Sequence, residues 1–211
     1  ALSSAASDVY KRQGIASYKV VREKNPQGLV FANLSALATP QQAVAAVEML
    51  HADALELHLN AAQELCMAEG DKNYAGLWQN IRQILEALPV PLVIKETGCG
   101  IAKEQYEKFL AAGLSVFNCA GAGGTNFPAI EARRRSKILP DEMAAWGVPT
   151  CWSLLDGQVV PQEKMLFASG GIRSGADIAK AFALGADAVG ITAPILRKIC
   201  LLYTSPSQRD A

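Results

Sequence analysis

The sequence predicts an α/β fold of the (β/α)8, or TIM-barrel, type, with about six of the eight strand-helix units present. Three observations carry this. Short apolar runs alternate with longer helical ones along most of the chain. Two helical runs end in the same Ala/Leu-Gly step, Ala112-Gly113 and Leu184-Gly185, just before an apolar run. Polar residues and glycines gather where the apolar runs end, which is where barrels build their sites.

The elements follow in order. A first strand is read at 29–34, and Thr39 and Pro40 then supply the N-cap and first turn of a helix at 40–50. The second strand, 54–60, sets Leu55, Leu57 and Leu59 against Glu56, His58 and Asn60, one greasy face and one hydrogen-bonding face. A helix at 74–87 leads to a strand at 91–97, where Lys95 and Thr97 share a face with Val93. A helix at 103–111, ended by Gly113, precedes a strand at 115–120. A helix at 141–146 and a strand at 165–170 come next. The helix at 175–183, capped by Ser174 and ended by Gly185, leads to the last strand, 188–192. Trp146 and Trp152 are read as helix packing.

Residues 1–13 and 199–211 lack any sustained amphipathic period and are set apart as flanks of a barrel portion at 14–198. Both flanks resemble translated adapter sequence at the ends of a reading frame cut on each side. Equal totals of 20 acidic and 20 basic residues give no electrostatic reason to expect nucleic acid or a membrane surface as partner. Any anion site must be local. The five cysteines show no metal or redox spacing and read as reduced thiols of a cytoplasmic protein. No apolar run approaches the roughly 20 residues that span a bilayer.

The polar strand ends are candidates for chemistry. His58 and Asn60 sit on a strand face that needs satisfied partners or a ligand, and a pair that merely ties down loops is the plainer reading. A lysine at position 95 pointing into a barrel calls for an anion or an electron-rich ring, or else an internal ion pair with Glu56 or Glu96. Two glycine-rich loops, 121–126 and 169–174, can bring backbone amides close to a phosphate, and Arg173 adds a guanidinium. The run 190–194 closes the same corner. Arg133, Arg134 and Arg135 read as a solvated helix face, with Arg134 able to pair with Glu131.

These motifs together resemble the type 2 isopentenyl diphosphate isomerases, flavin-dependent barrel enzymes. The match rests on Phe31-Ala32-Asn33-Leu34; His58-Leu59-Asn60 with Gln63-Glu64; Glu69-Gly70-Asp71; Lys95-Glu96 with Gly98 and Gly100; Gly123-Gly124-Thr125-Asn126-Phe127 with Glu131 and Arg134; Trp146-Gly147-Val148-Pro149-Thr150; and Ser169-Gly170-Gly171-Ile172-Arg173. The resemblance implies interconversion of isopentenyl and dimethylallyl diphosphate with FMN, Mg2+ and NADPH as flavin reductant. It implies flavin contacts from Asn33, Lys95 and Thr125, and a flavin phosphate held by Gly171, Ile172, Arg173, Thr192 and Ala193. Gln63 would face the substrate as a catalytic residue, with Glu131 as a second acid or base. His58 and Asn60 would shape the pocket around the diphosphate, and Glu64 would bind magnesium. Family members are homo-oligomers.

The family's first two strands, with a Met-Thr-Gly-Gly-like turn, a Gly-Ser-Gln-Arg-like loop and an Arg-Lys pair, have no counterpart here. An incomplete site is therefore expected, on a sheet with two open edges. Ala122 and Cys99 also depart from the usual pattern. Two other readings stand beside the isomerase: another FMN-dependent barrel oxidoreductase, or a fragment that binds flavin or phosphate without catalysis.

Overall fold

The computed structural model of the chain describes residues 15–204. Helix α1 (Ile15–Lys24) leads into an alternation of strands and helices: β1 (Phe31–Ser35), α2 (Pro40–Leu50), β2 (Ala54–Leu59), α3 (Ala61–Cys66), α4 (Leu77–Ala87), β3 (Leu92–Glu96), α5 (Lys103–Ala111) and β4 (Val116–Asn118). Then come α6 (Phe127–Arg134), α7 (Asp141–Ala144), α8 (Thr150–Asp156), a 3-10 turn (Gly157–Val159), β5 (Met165–Ala168), α9 (Gly175–Ala183), β6 (Ala188–Val189) and α10 (Ala193–Thr204). The strands form one parallel sheet in chain order, β1 to β6.

The sheet is rolled. In a flat sheet β1 and β5 would stand about 19 Å apart, four steps of the usual strand spacing. Yet the rings of Phe31 on β1 and Phe167 on β5 lie 6.3 Å apart and near-parallel, across an interior they share with Ala54, Val93 and Val116. Strand alternation then decides everything above that layer. The residues in register with this apolar floor, two positions on, are Asn33, Glu56, Lys95 and Asn118. The opposite face carries Leu55, Leu57, Ile94, Phe117 and Leu166, buried under the helices. There Tyr106 meets Phe117 edge-on at 5.6 Å.

The helix signals hold where side chains carry them. Thr39 accepts from the Gln42 N–H while Gln42 reaches back to the Thr39 N–H, and Ser174 and Asp177 do the same for α9. Gly113 and Gly185 both take left-handed conformations after α5 and α9.

Five readings change. Helix α4 begins at Leu77, not at position 74, because Gly76 is left-handed and caps it. Helix α7 stops at Ala144, short of 146. Strand β6 keeps only Ala188 and Val189 of 188–192. Trp146 and Trp152 are 57% and 61% exposed, so neither packs a helix; α7 is a single turn, and α8 turns Trp152 outward while Ser153 and Leu154 face the core. Helix α10 runs past residue 198, so 199–204 continue a helix across the boundary drawn there. The flank at 1–13 and residues 205–211 lie outside the described residues.

Candidate functional site

Three groups of residues meet at the carboxyl ends of the strands. The first is a hydrogen-bonded chain across the interior. The Asn33 amide donates to Glu56 Oε2 at 3.1 Å, Asn118 donates to Glu56 Oε1 at 3.2 Å, and the Ser169 hydroxyl donates to Asn118 Oδ1 at 2.7 Å. His58 Nδ1 lies 2.7 Å from Asn33 Oδ1. Since Glu56 fixes the Asn33 amide with its oxygen toward His58, Nδ1 must carry the proton and Nε2 is left an acceptor. Burial, with help from the Lys95 charge, holds the His58 pKa down at about 4, so the ring is neutral at physiological pH.

Lys95 stands beside His58 in register and is half-buried. It forms no ion pair with Glu56 or Glu96; its ammonium donates to the Glu96 carbonyl at 3.0 Å. The internal salt bridge weighed from the sequence is therefore not made. Glu96 points to the other face, where its Oε2 accepts the Thr97 N–H and burial pushes its pKa up to about 7.

The second group sits on α3 and α6, which pack on each other. Gln63 donates to Glu131 Oε1 at 3.2 Å, and both side chains are buried. Arg134, one turn on, donates to Glu131 Oε2 at 2.8 Å and reaches Glu69 at 3.3 Å. Asn60 donates to Glu64 Oε1 at 2.7 Å, and the Asp71 N–H donates to Glu64 Oε2 at 2.9 Å. Glu64 is thus aimed from both sides, with lone pairs left for a cation.

The third group is the glycine corner. A Cβ on Gly124 would come 2.8 Å from the Gly171 nitrogen, and one on Gly170 would come 2.2 Å from the Gly121 carbonyl oxygen. Only glycine lets the two loops close this far. Beside them lies a cavity of about 210 Å3 lined by Thr125, Gly171, Ile172, Arg173, Thr192 and Ala193. Ile172 offers this cavity little more than backbone, since its side chain joins the core. The Arg173 guanidinium bridges the loops, donating to the carbonyls of Gly171 at 3.1 Å and Gly123 at 2.8 Å.

The structure thus brings Asn33, His58 and Lys95 together over the strands, and Gln63, Glu131 and Glu64 around α3. Thr125, read with Asn33 and Lys95 as a flavin contact, stands at the glycine corner. Sequence reasoning missed Asn118 and Ser169 in the interior chain, and Arg197, which lines the corner cavity from α10. Strand alternation from Val116 pointed to Asn118; nothing local pointed to Arg197.

Residues 17–201 match the family described as FMN-dependent dehydrogenase. The chain belongs to this family. Among its relatives, an isopentenyl-diphosphate delta-isomerase from Geobacillus sp. (strain WCH70) is 39% identical over 199 residues, covering 94% of this chain and 57% of the relative. The isopentenyl-diphosphate delta-isomerases of Symbiobacterium thermophilum and Bacillus pumilus are 46% and 44% identical, over 85% and 87% of this chain and 50% and 51% of theirs. The chain spans about half the length of the curated relatives it matches. An inosine 5′-monophosphate dehydrogenase from Legionella pneumophila shares the fold, with a TM-score of 0.56 at 21% identity over 84% of this chain and 47% of that one. The six parallel strands are thus an incomplete barrel within an FMN-dependent family, and the likeness to the isomerases read from the motifs holds across most of the chain. Among the described residues, no helix is long and apolar enough to cross a membrane.

Proposed function

We propose that these residues belong to the active site of an isopentenyl-diphosphate delta-isomerase of the flavin-dependent type, interconverting isopentenyl and dimethylallyl diphosphate. The observation that carries the reading is the Gln63–Glu131 hydrogen bond, which joins residues 68 positions apart beside the His58, Asn60 and Glu64 cluster. The isomerase relatives at 39–46% identity support it.

The chain's own groups fit the cofactor. The glycine corner leaves backbone bare where a Cβ would clash, and its cavity carries Thr125, Thr192 and two guanidinium side chains suited to a phosphate. Asn33 and Lys95 face the rolled interior, where an electron-rich ring would meet the ammonium. When bound and reduced by NADPH, FMN supplies the redox-neutral proton chemistry of the reaction, with NADPH as reductant and not as stoichiometric substrate.

On this reading Glu131 takes or gives a proton, and Gln63, which donates to its Oε1, faces the substrate; their hydrogen bond supports the pairing. Arg134 secures the other carboxylate oxygen. Asn60 fixes Glu64 for a magnesium-bound diphosphate, and neutral His58 borders the same ground with its Nε2 lone pair, which accepts from a proton donor and not from the diphosphate oxygens. Among the described residues no three His, Cys, Asp or Glu converge into a metal cage. One oriented carboxylate suits Mg2+, which keeps waters and takes its remaining oxygens from the substrate phosphates. The whole protein, on this reading, is a cytoplasmic homo-oligomer.

The test is a titration of the purified chain with FMN, followed by absorbance and fluorescence, then isomerisation by a protein of the relatives' full length. Saturable binding weakened by Lys95→Ala, and turnover abolished by Glu64→Gln with flavin still bound, are the expected results. Flavin held without turnover by the full-length protein would reduce the reading to a cofactor-binding module.

A further inference from the structure

Glu56 has no part in the function proposed above, yet both oxygens of its carboxylate are committed inside the rolled sheet. Oε2 accepts from the Asn33 amide at 3.1 Å and Oε1 from the Asn118 amide at 3.2 Å. A carboxylate only accepts, so each asparagine must turn its nitrogen to Glu56 and its oxygen away. The two oxygens then meet different groups. Asn118 Oδ1 faces the Ser169 hydroxyl at 2.7 Å, and Asn33 Oδ1 faces His58 Nδ1, also at 2.7 Å.

These two ends are not equivalent. A hydroxyl rotates and can donate or accept, so Ser169 tolerates either orientation of Asn118. A neutral imidazole cannot: the proton that Asn33 demands on Nδ1 is the one Nε2 then lacks. The direction of hydrogen bonding set at Glu56 therefore reaches His58 through Asn33 on the neighbouring strand. A ligand can sense it there. The ring is 3% exposed, but Nε2 is neither paired nor sealed: among the described residues, the buried side-chain polar atoms without a partner are Arg22 Nε and the Tyr74 hydroxyl. Asn33 has given one amide proton to Glu56 and its oxygen to His58, and it keeps its second N–H.

We propose that Glu56 is a positioning residue: it holds the Asn33 carboxamide in one orientation, so that Asn33 meets the flavin as a donor and His58 meets the ligand as an Nε2 acceptor. The inference rests on the flavin site read above, to which it adds Glu56 as a residue that acts through its neighbours.

The test reads the ring directly. The chain has two histidines and His51 is exposed, so the ring nitrogens of His58 can be told apart in proton–nitrogen spectra of the isotope-labelled protein near neutral pH. Wild type and Glu56→Gln are expected to show Nδ1–H, because the variant's amide oxygen still serves Asn33 while Asn118 turns over and Ser169 accepts from it. Glu56→Leu, and the gentler Glu56→Asp that withdraws both oxygens, are expected to lose the Nδ1–H form. Glu56→Leu should also bind FMN roughly tenfold more weakly, about what one hydrogen bond contributes, with Glu56→Gln close to wild type. An Nε2–H ring in the wild type would overturn the inference. So would an Nδ1–H ring that persists in folded Glu56→Leu or Glu56→Asp, or equal FMN affinity in wild type and Glu56→Leu. Failure of the folded wild type to bind FMN would instead sink the reading of the site, and the ring spectra would separate the two failures.

Discussion

Two polar groups share the same end of this sheet, and they are built in different ways. The chain of Asn33, Glu56, Asn118 and Ser169 is set by strand register, each side chain two positions above an apolar partner in the floor. The Gln63–Glu131 pair is set by two short helices packing on each other, with Arg134 gripping from the solvent side. The strand-borne group is closed on itself, and removing one member strands its neighbours. The helix-borne group is open at one end, so water can replace what is lost. The first is therefore a stability device as much as a proposed site, and the second, on the function proposed above, is mostly a site.

Glu56 gives the sharpest way to break the strand-borne group. Both its oxygens accept amide N–H groups from the interior, so Glu56→Ala leaves Asn33 and Asn118 without acceptors and frees His58's partner. The expected loss is about 3 kcal/mol in urea unfolding, for two part-buried hydrogen bonds to one carboxylate. A loss under 1 kcal/mol would mean that the interior is wet and the register argument carries little energy.

Two buried groups on neighbouring strands make the comparison visible in pH. His58 titrates at about 4 in the fold against 6.5 in a free chain, so the unfolded state binds the extra proton and stability rises with pH between those values. Glu96 titrates at about 7 against 4.5, so the fold binds the extra proton and stability falls as pH rises from 4.5 to 7. Each amounts to about 3 kcal/mol, and they oppose each other across most of the range. Urea midpoints between pH 4.5 and 7 should therefore fall with pH in His58→Gln and rise in Glu96→Gln, relative to wild type. Profiles parallel to wild type would show that neither ring nor carboxyl is as dry as its burial implies.

The strand-borne group was the legible one. Period-two alternation put His58, Lys95 and Thr97 on the inner face from sequence, and glycine steps at Gly113 and Gly185 marked the unit boundaries. The helix-borne geometry was not legible in this way. Helices α3, α6 and α8 have 6, 8 and 7 residues, too few to show a 3.6-residue period, and the Gln63–Glu131 contact closes over 68 positions that only the folded sheet brings together. Those two residues were reached through motif resemblance, not local pattern. Arg197 carried no signal, because a cavity-lining cation exists only in three dimensions.

The helix-borne pair should break unevenly, and this is the finest test of the contrast. Arg134 is more than half exposed while Glu131 is 5% exposed, so removing the arginine leaves a buried carboxylate held only by Gln63. Arg134→Gln is expected to lower the urea midpoint measurably, but by less than breaking a fully enclosed pair would, because solvent reaches the vacated side. Glu131→Gln should cost under about 1 kcal/mol, since it removes the buried charge, keeps the shape and leaves Arg134 its contact with Glu69. The double variant should then be no less stable than Arg134→Gln alone, because the charge that made the arginine necessary is gone. A Glu131→Gln loss as large as that of Glu56→Ala would erase the distinction, placing the helix pair among the groups that hold the fold together.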